Sequence, residues 1–164
     1  MQLLLVRHAI ACERDARRWR DDAERPLSPR GIARAHRAAQ GLRRIGPRPA
    51  RVLCSPLLRT QQTARILSES AGWPRPVPCA QLLPGTAPEE FLTLLKGASV
   101  ECVAAVGHEP DLSELLTACL GAAAGGAFGF RKMGVALVSF RAAARAGGAH
   151  LVWFLPPRLL RAAR

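Results

Sequence analysis

The chain has 164 residues, a mass of 17.7 kDa, 49% hydrophobic residues and a formal net charge of +12. That length suits one domain spanning 1–164 with one hydrophobic core, and the composition excludes a disordered chain. No apolar run approaches the roughly 18 residues that cross a bilayer, so no membrane span is expected.

The chain opens with Met1-Gln2-Leu3-Leu4-Leu5-Val6, which runs straight into Arg7-His8. It is too short for a leader peptide and lacks a basic start, so residues 2–7 read as a buried strand. The cytoplasm is then the expected location. Residues 9–27 are polar and read as a loop. Leu27-Ser28-Pro29 begins a helix: Ser28 can cap, Pro29 suits the first helical position, and Leu27 can staple onto Ile32. Ile32, Ala35, Ala39 and Leu42 keep helical spacing until Gly46-Pro47 ends the run.

Residues 51–54 form a short strand, and Ser55-Pro56 repeats the cap-and-proline signal for a helix to about Ser70. A short strand is expected at Val77–Cys79, a helix from Pro88 to Leu95, a strand over 101–106 and a helix over 111–120. The Ala/Gly-rich stretch 121–129 reads as loose, and strands at 135–141 and 150–155 read as a hairpin. Pro156-Pro157 is expected to end the regular structure. Alternating strands and helices predict an α/β fold of three layers. Its sheet is mainly parallel, with helices on both faces and an antiparallel edge strand formed late in the chain.

Five widely spaced cysteines with no CxxC pair read as free thiols, and no metal site is expected. The positive charge raises the question of nucleic acid. The arginines are scattered, however, tyrosine is absent and aromatics are 5%, so no nucleic-acid partner is expected.

Ligands of open α/β sheets sit beyond the carboxyl ends of the strands. Three strands end there in Arg7-His8, in Ser55-Pro56-Leu57-Leu58-Arg59 and in Gly107-His108-Glu109. Arg59 lies in the first turn of a helix, where a cation is disfavoured. It is either solvated, as Arg30 would be, or shares an anion with the free backbone amides. Two arginines and two histidines together suit an anion better than a metal, because the guanidinium fork matches phosphate oxygens. Neighbouring cations also favour neutral imidazole, which is a nucleophile. His8 would attack phosphorus in line while Arg7, Arg59 and His108 hold the equatorial oxygens, with no cofactor. His36 reads as solvated and His150 as structural.

Four segments, in this order, resemble the histidine phosphatase superfamily of the phosphoglycerate-mutase-like fold, and within it the small SixA-type branch. They are Leu5-Val6-Arg7-His8-Ala9, Arg25-Pro26-Leu27-Ser28-Pro29-Arg30-Gly31, Ser55 to Ala64, and Val106-Gly107-His108-Glu109-Pro110. The resemblance implies that His8 is phosphorylated, that Arg7, Arg59 and His108 form the phosphate pocket, and that Arg25 reaches the pocket or the substrate. It also implies a phosphohistidine-bearing phosphotransfer or phosphocarrier protein as partner, with a monomer expected. The alternative is a phosphatase of small phosphoesters with the same site.

Two departures stand out. The family's Arg-His-Gly reads Arg7-His8-Ala9, which would be strained if the backbone angle there required glycine. Residues 80–85 carry no carboxylate, where many relatives place the acid that protonates an alkoxide leaving group. Glu109 is either a substitute acid or a helix cap. A labile P–N bond needs less help to break, so the missing acid favours phosphohistidine or another activated phosphate as substrate.

Overall fold

The computed structural model describes residues 1–97, 100–121 and 128–163. Six strands form one sheet: β1 (Gln2–Arg7), β2 (Arg51–Cys54), β3 (Val77–Pro78), β4 (Cys102–Gly107), β5 (Val135–Phe140) and β6 (Ala149–Leu155). Their order is β3-β2-β4-β1-β5-β6, with the first four parallel. β5 runs antiparallel to β1, and β6 pairs antiparallel with β5 at the edge. The antiparallel edge pairing expected late in the chain is therefore that of a hairpin whose inner strand adjoins β1.

The pleat sends alternate side chains to opposite faces. Leu4 and Val6 of β1 join a core built with α1 (Pro29–Ile45), α2 (Leu58–Ala71) and α5 (Pro157–Ala162). Leu3 and Leu5 join the opposite core, built with α3 (Pro88–Lys96) and α4 (Asp111–Leu120). β4 is buried along its whole length, as a central parallel strand covered on both faces must be.

Ser28 caps α1 by accepting from the Gly31 amide at 3.0 Å, and Pro29 holds the first position. The buried stripe is shifted from the expected one: Ala35, Ala38, Ala39 and Leu42 face the core, whereas Ile32 is exposed. Gly31 and Gly41 permit close docking. A Cβ on Gly31 would lie 1.9 Å from the Ile10 carbonyl oxygen, and one on Gly41 would lie 1.7 Å from that of Leu160.

Three local expectations are corrected. Pro156-Pro157 does not end the structure, because Pro157 is the first residue of α5, where its missing N–H costs nothing. Residues 9–27 are more ordered than a plain loop: Ala11 bridges Leu27, and Asp21 caps a 3-10 turn at Asp22–Glu24. Ser55 does not cap α2, which starts at Leu58 with no side-chain cap. The expected loose stretch 121–129 lies mostly outside the described residues. Among the described residues no helix is long and apolar enough to cross a membrane.

Candidate active site

Strand register brings the polar ends together. Arg7 pairs with Gly107 and Cys54 with Val106, so the residues that follow emerge at one level of one edge. The His8 amide donates to Gly107 O at 3.0 Å and the Ser55 amide to Val106 O at 3.0 Å, extending the ladder one step beyond each strand. His8 and His108 are thereby neighbours, with ring centroids 5.3 Å apart.

His8 is 5% exposed. Its Nδ1 lies 2.7 Å from the Ala9 carbonyl oxygen, which can only accept, so Nδ1 carries the hydrogen and Nε2 keeps its lone pair. Burial, then the charges of His108, Lys132 and Arg59, push the His8 pKa down to about 3, against the Ala9 carbonyl. The ring is neutral at neutral pH. Ala9 is seated by its amide, which donates to Thr63 Oγ1 at 3.0 Å; that hydroxyl donates to Arg59 O at 2.7 Å. The alanine is not strained, because among the described residues the one non-glycine with positive φ is Met133.

His108 is 4% exposed, and its Nε2 meets Ser55 Oγ at 2.9 Å. The serine read as a helix cap orients a histidine instead. Burial, then Arg59 and Arg7, lower the His108 pKa to about 4.

Arg7 donates from a terminal guanidinium nitrogen to Phe130 O at 2.5 Å. Arg59 is 5% exposed and donates to Asp22 O at 2.8 Å. Burial lowers both guanidinium pKa values, with Glu109 opposing the shift at Arg7 and Asp22 opposing it at Arg59. The Nε atoms of both arginines are buried without a partner. Such unmet cationic donors call for an anion with several acceptor oxygens. Arg25 is tied beside them, donating from Nε to Asp22 Oδ1 at 2.8 Å and from a terminal guanidinium nitrogen to Cys12 O at 2.8 Å.

Two neighbours escaped the sequence reading. Asp22 sits among Arg25, Arg14 (3.4 Å) and Arg59 (3.3 Å), and the Arg25 hydrogen bond chiefly holds its carboxyl well below the usual range. The acidic pair Asp21-Asp22 inside an arginine-rich loop was the available signal. Lys132 has its pKa lowered by burial and by Arg7, Arg25 and Arg59. It precedes Met133, whose amide donates to Arg7 O at 3.1 Å and pins this segment to the end of β1. No motif marked Lys132.

Glu109 does not cap α4, whose cap residue is Pro110. Its Oε2 accepts from Ser113 Oγ at 2.7 Å, while Oε1 is buried without a partner. Burial raises its pKa, which suits a carboxyl group that holds a proton. On the other side of His108, Gln81 and Asp111 line a small cavity, and Asp111 accepts from the Gly85 amide at 2.6 Å. His36 is not free in solvent: its Nδ1 meets Ser70 Oγ at 2.7 Å between α1 and α2. All five cysteines are free thiols, and four are buried.

The chain as a whole is similar to known proteins. A profile of the histidine phosphatase superfamily (branch 1) matches residues 3–82. An uncharacterized protein of Picosynechococcus sp. is 34% identical over 138 residues, 82% of each chain. The solved protein histidine phosphatase SixA, complexed with tungstate, superposes with a TM-score of 0.85 at 23% identity, over 98% of this chain and 99% of that one. A Nakamurella multipartitia protein described as a phosphohistidine phosphatase SixA superposes with a TM-score of 0.77 at 28% identity, over 95% of both chains. With the profile match lying across Arg7, His8 and Arg59, and a relative similar over most of its length, this chain belongs to the histidine phosphatase superfamily and has the SixA-type fold.

Proposed function

We propose that this phosphatase removes the phosphoryl group from phosphohistidine on a partner protein, through a phosphohistidine intermediate on its own His8. The single observation that carries the mechanism is a buried, neutral His8 whose Nδ1 is spent on the Ala9 carbonyl, beside Arg7, Arg59 and His108. The Nε2 lone pair attacks phosphorus as the P–N bond of the substrate breaks. The bonding pair leaves with the substrate imidazole, which departs neutral when its other ring nitrogen carries a proton. Arg7 and Arg59 neutralise the charge on the transferring oxygens. Water then attacks the phosphorus on His8, releasing inorganic phosphate and restoring Nε2.

The leaving group is the basis for the substrate class. Residues 80–85 supply no carboxylate, and Asp111 accepts from the Gly85 amide through one oxygen, which leaves Glu109 beside His108 as the carboxyl group with a raised pKa. An alkoxide leaving group would need a proton from such a group, whereas an imidazole needs little help. We assign Arg25, bound to Asp22 beside Arg59, to contact with the substrate.

The test compares a phosphohistidine-bearing carrier protein with an aryl phosphate, for wild type and His8→Ala, without added metal. Rapid loss of phosphate from the carrier, abolished in the variant, is the expected result. Efficient hydrolysis of the aryl ester with the carrier untouched would move the substrate to small phosphoesters.

A further inference from the structure

We propose that a basic groove leading away from His8 is a docking site for an acidic polypeptide segment of the protein that carries the phosphohistidine. This rests on the protein-substrate reading above and adds the chemistry by which the partner is held.

The groove has a volume of about 720 Å³. At about 30 Å³ per water that is space for roughly two dozen waters, far more than one phosphate needs. It begins at Ala9, next to the nucleophile, and at Lys132, whose charge is felt by His8. From there it passes between the start of α1 and α5. Its cations are Arg34 of α1, Arg158 and Arg161 of α5, and Arg131 and Lys132 ahead of β5. Among the described residues no carboxylate lines it. Among the same residues every ion pair is made to Asp22, by Arg14, Arg25 or Arg59, so the five groove cations have no acidic partner there. Burial, and after it the charges of Arg34 and Arg37, lower the pKa of Arg161, so like charges lie close enough here to act on one another.

Two features favour a polypeptide over a second phosphate. The cations come from three separate elements and do not share an acceptor, so they suit carboxylates spaced along a chain. Between them lies an apolar floor that includes Ile10, Met133, Pro156 and Pro157. An apolar strip with a charged rim is the usual composition of a protein contact. A phosphate subsite would instead need donors converging on one point. Nucleic acid would use the cations but has no use for this floor, and among the described residues no aromatic ring lines the groove for stacking.

The test uses the full chain with Arg131→Gln/Arg158→Gln, two exposed positions outside the catalytic pocket. Fluorescence anisotropy at low salt reads the binding of a labelled heptapeptide of Asp and Glu around a central Leu. A matched Asn/Gln peptide and a single-stranded oligonucleotide of equal charge serve as comparisons. The acidic peptide is expected to bind at least about tenfold more tightly than its amide counterpart, and to lose about tenfold in the double variant. Aryl phosphatase activity of the variant is expected to stay within about twofold of wild type, because no catalytic contact is altered. Equal binding of the two peptides, or equal binding of the acidic peptide to both proteins, overturns the proposal. An oligonucleotide that binds more tightly than the peptide, and loses as much in the variant, also overturns it, in favour of a nucleic-acid surface. These outcomes do not depend on phosphohistidine turnover. A carrier left intact by an enzyme that binds the peptide as expected would refute the substrate while leaving the groove assigned.

Discussion

Lowering the pH should destabilise this protein through its two buried histidines, His8 and His108, and the size of the effect follows from their burial. An unfolded histidine titrates near 6.5, whereas His8 and His108 are held down to about 3 and about 4 in the fold. Between those values and 6.5 the unfolded chain binds protons that the folded chain refuses. Stability therefore falls as pH drops through 6.5, and the loss grows until the folded pKa values are reached. At pH 5 each histidine is about 1.5 units below its unfolded pKa, which amounts to about 2 kcal/mol, or about 4 kcal/mol for the pair relative to pH 7. Asp22, with a lowered pKa, loses its stabilising effect only at more acid pH. Glu109, with a raised pKa, works in the opposite direction and offsets part of the loss. Urea denaturation at pH 7 and pH 5 measures the difference directly. His8→Gln removes one of the two groups and should retain about half of the pH dependence. A wild type equally stable at both pH values, or a variant with undiminished pH dependence, would refute the burial argument.

Other perturbations separate the roles of the neighbours. Ser55→Ala leaves His108 Nε2 buried without its 2.9 Å partner, and should cost about 1–3 kcal/mol by denaturant titration together with a lower kcat. Asp22→Asn breaks partly exposed ion pairs, so stability should change by less than about 1 kcal/mol. Its kcat/KM should nevertheless fall about tenfold as Arg59 and Arg25 lose their orienting partner; an unchanged kcat/KM would deny Asp22 that role. Glu109→Gln should leave phosphohistidine cleavage within about threefold of wild type while lowering hydrolysis of an alkyl phosphate at least about tenfold, since only the alkoxide needs a proton. Equal losses on both substrates would show that the carboxyl acts on something other than the leaving group.

The parts of the fold that were legible in the sequence are those where local signals agree. The Ser28-Pro29 start of α1, the fully apolar β4 and the late hairpin each arise from spacing or capping that nothing else in the chain contradicts. Arg7, His8, Arg59 and His108 were legible for a topological reason: parallel strands in register bring their following residues to one edge. The readings that failed are those that depend on what lies opposite in space. Ser55 carries a cap signal, yet β4 places His108 within reach of its hydroxyl, and that buried contact prevails over capping. Ile32 fits the helical stripe, but the close docking of Gly31 on Ile10 turns the α1 stripe toward its alanines. Pro157 looks like a terminator and is a helix start, because a proline can end one element or open the next, and Arg158 to Ala162 continue as a helix. Asp22 and Lys132 reach the pocket from segments outside the four motifs, so only tertiary placement reveals them.

The proposed mechanism requires a covalent phosphoryl group on His8 Nε2. It is tested most directly by mixing the enzyme with carrier protein bearing radiolabelled phosphohistidine, quenching rapidly in alkali and mapping the label by mass spectrometry. An acid-labile, alkali-stable phosphate is expected on His8, formed and discharged fast enough to support turnover and absent from His8→Ala. Full turnover of the carrier by His8→Ala, or label mapped to another residue, would contradict it.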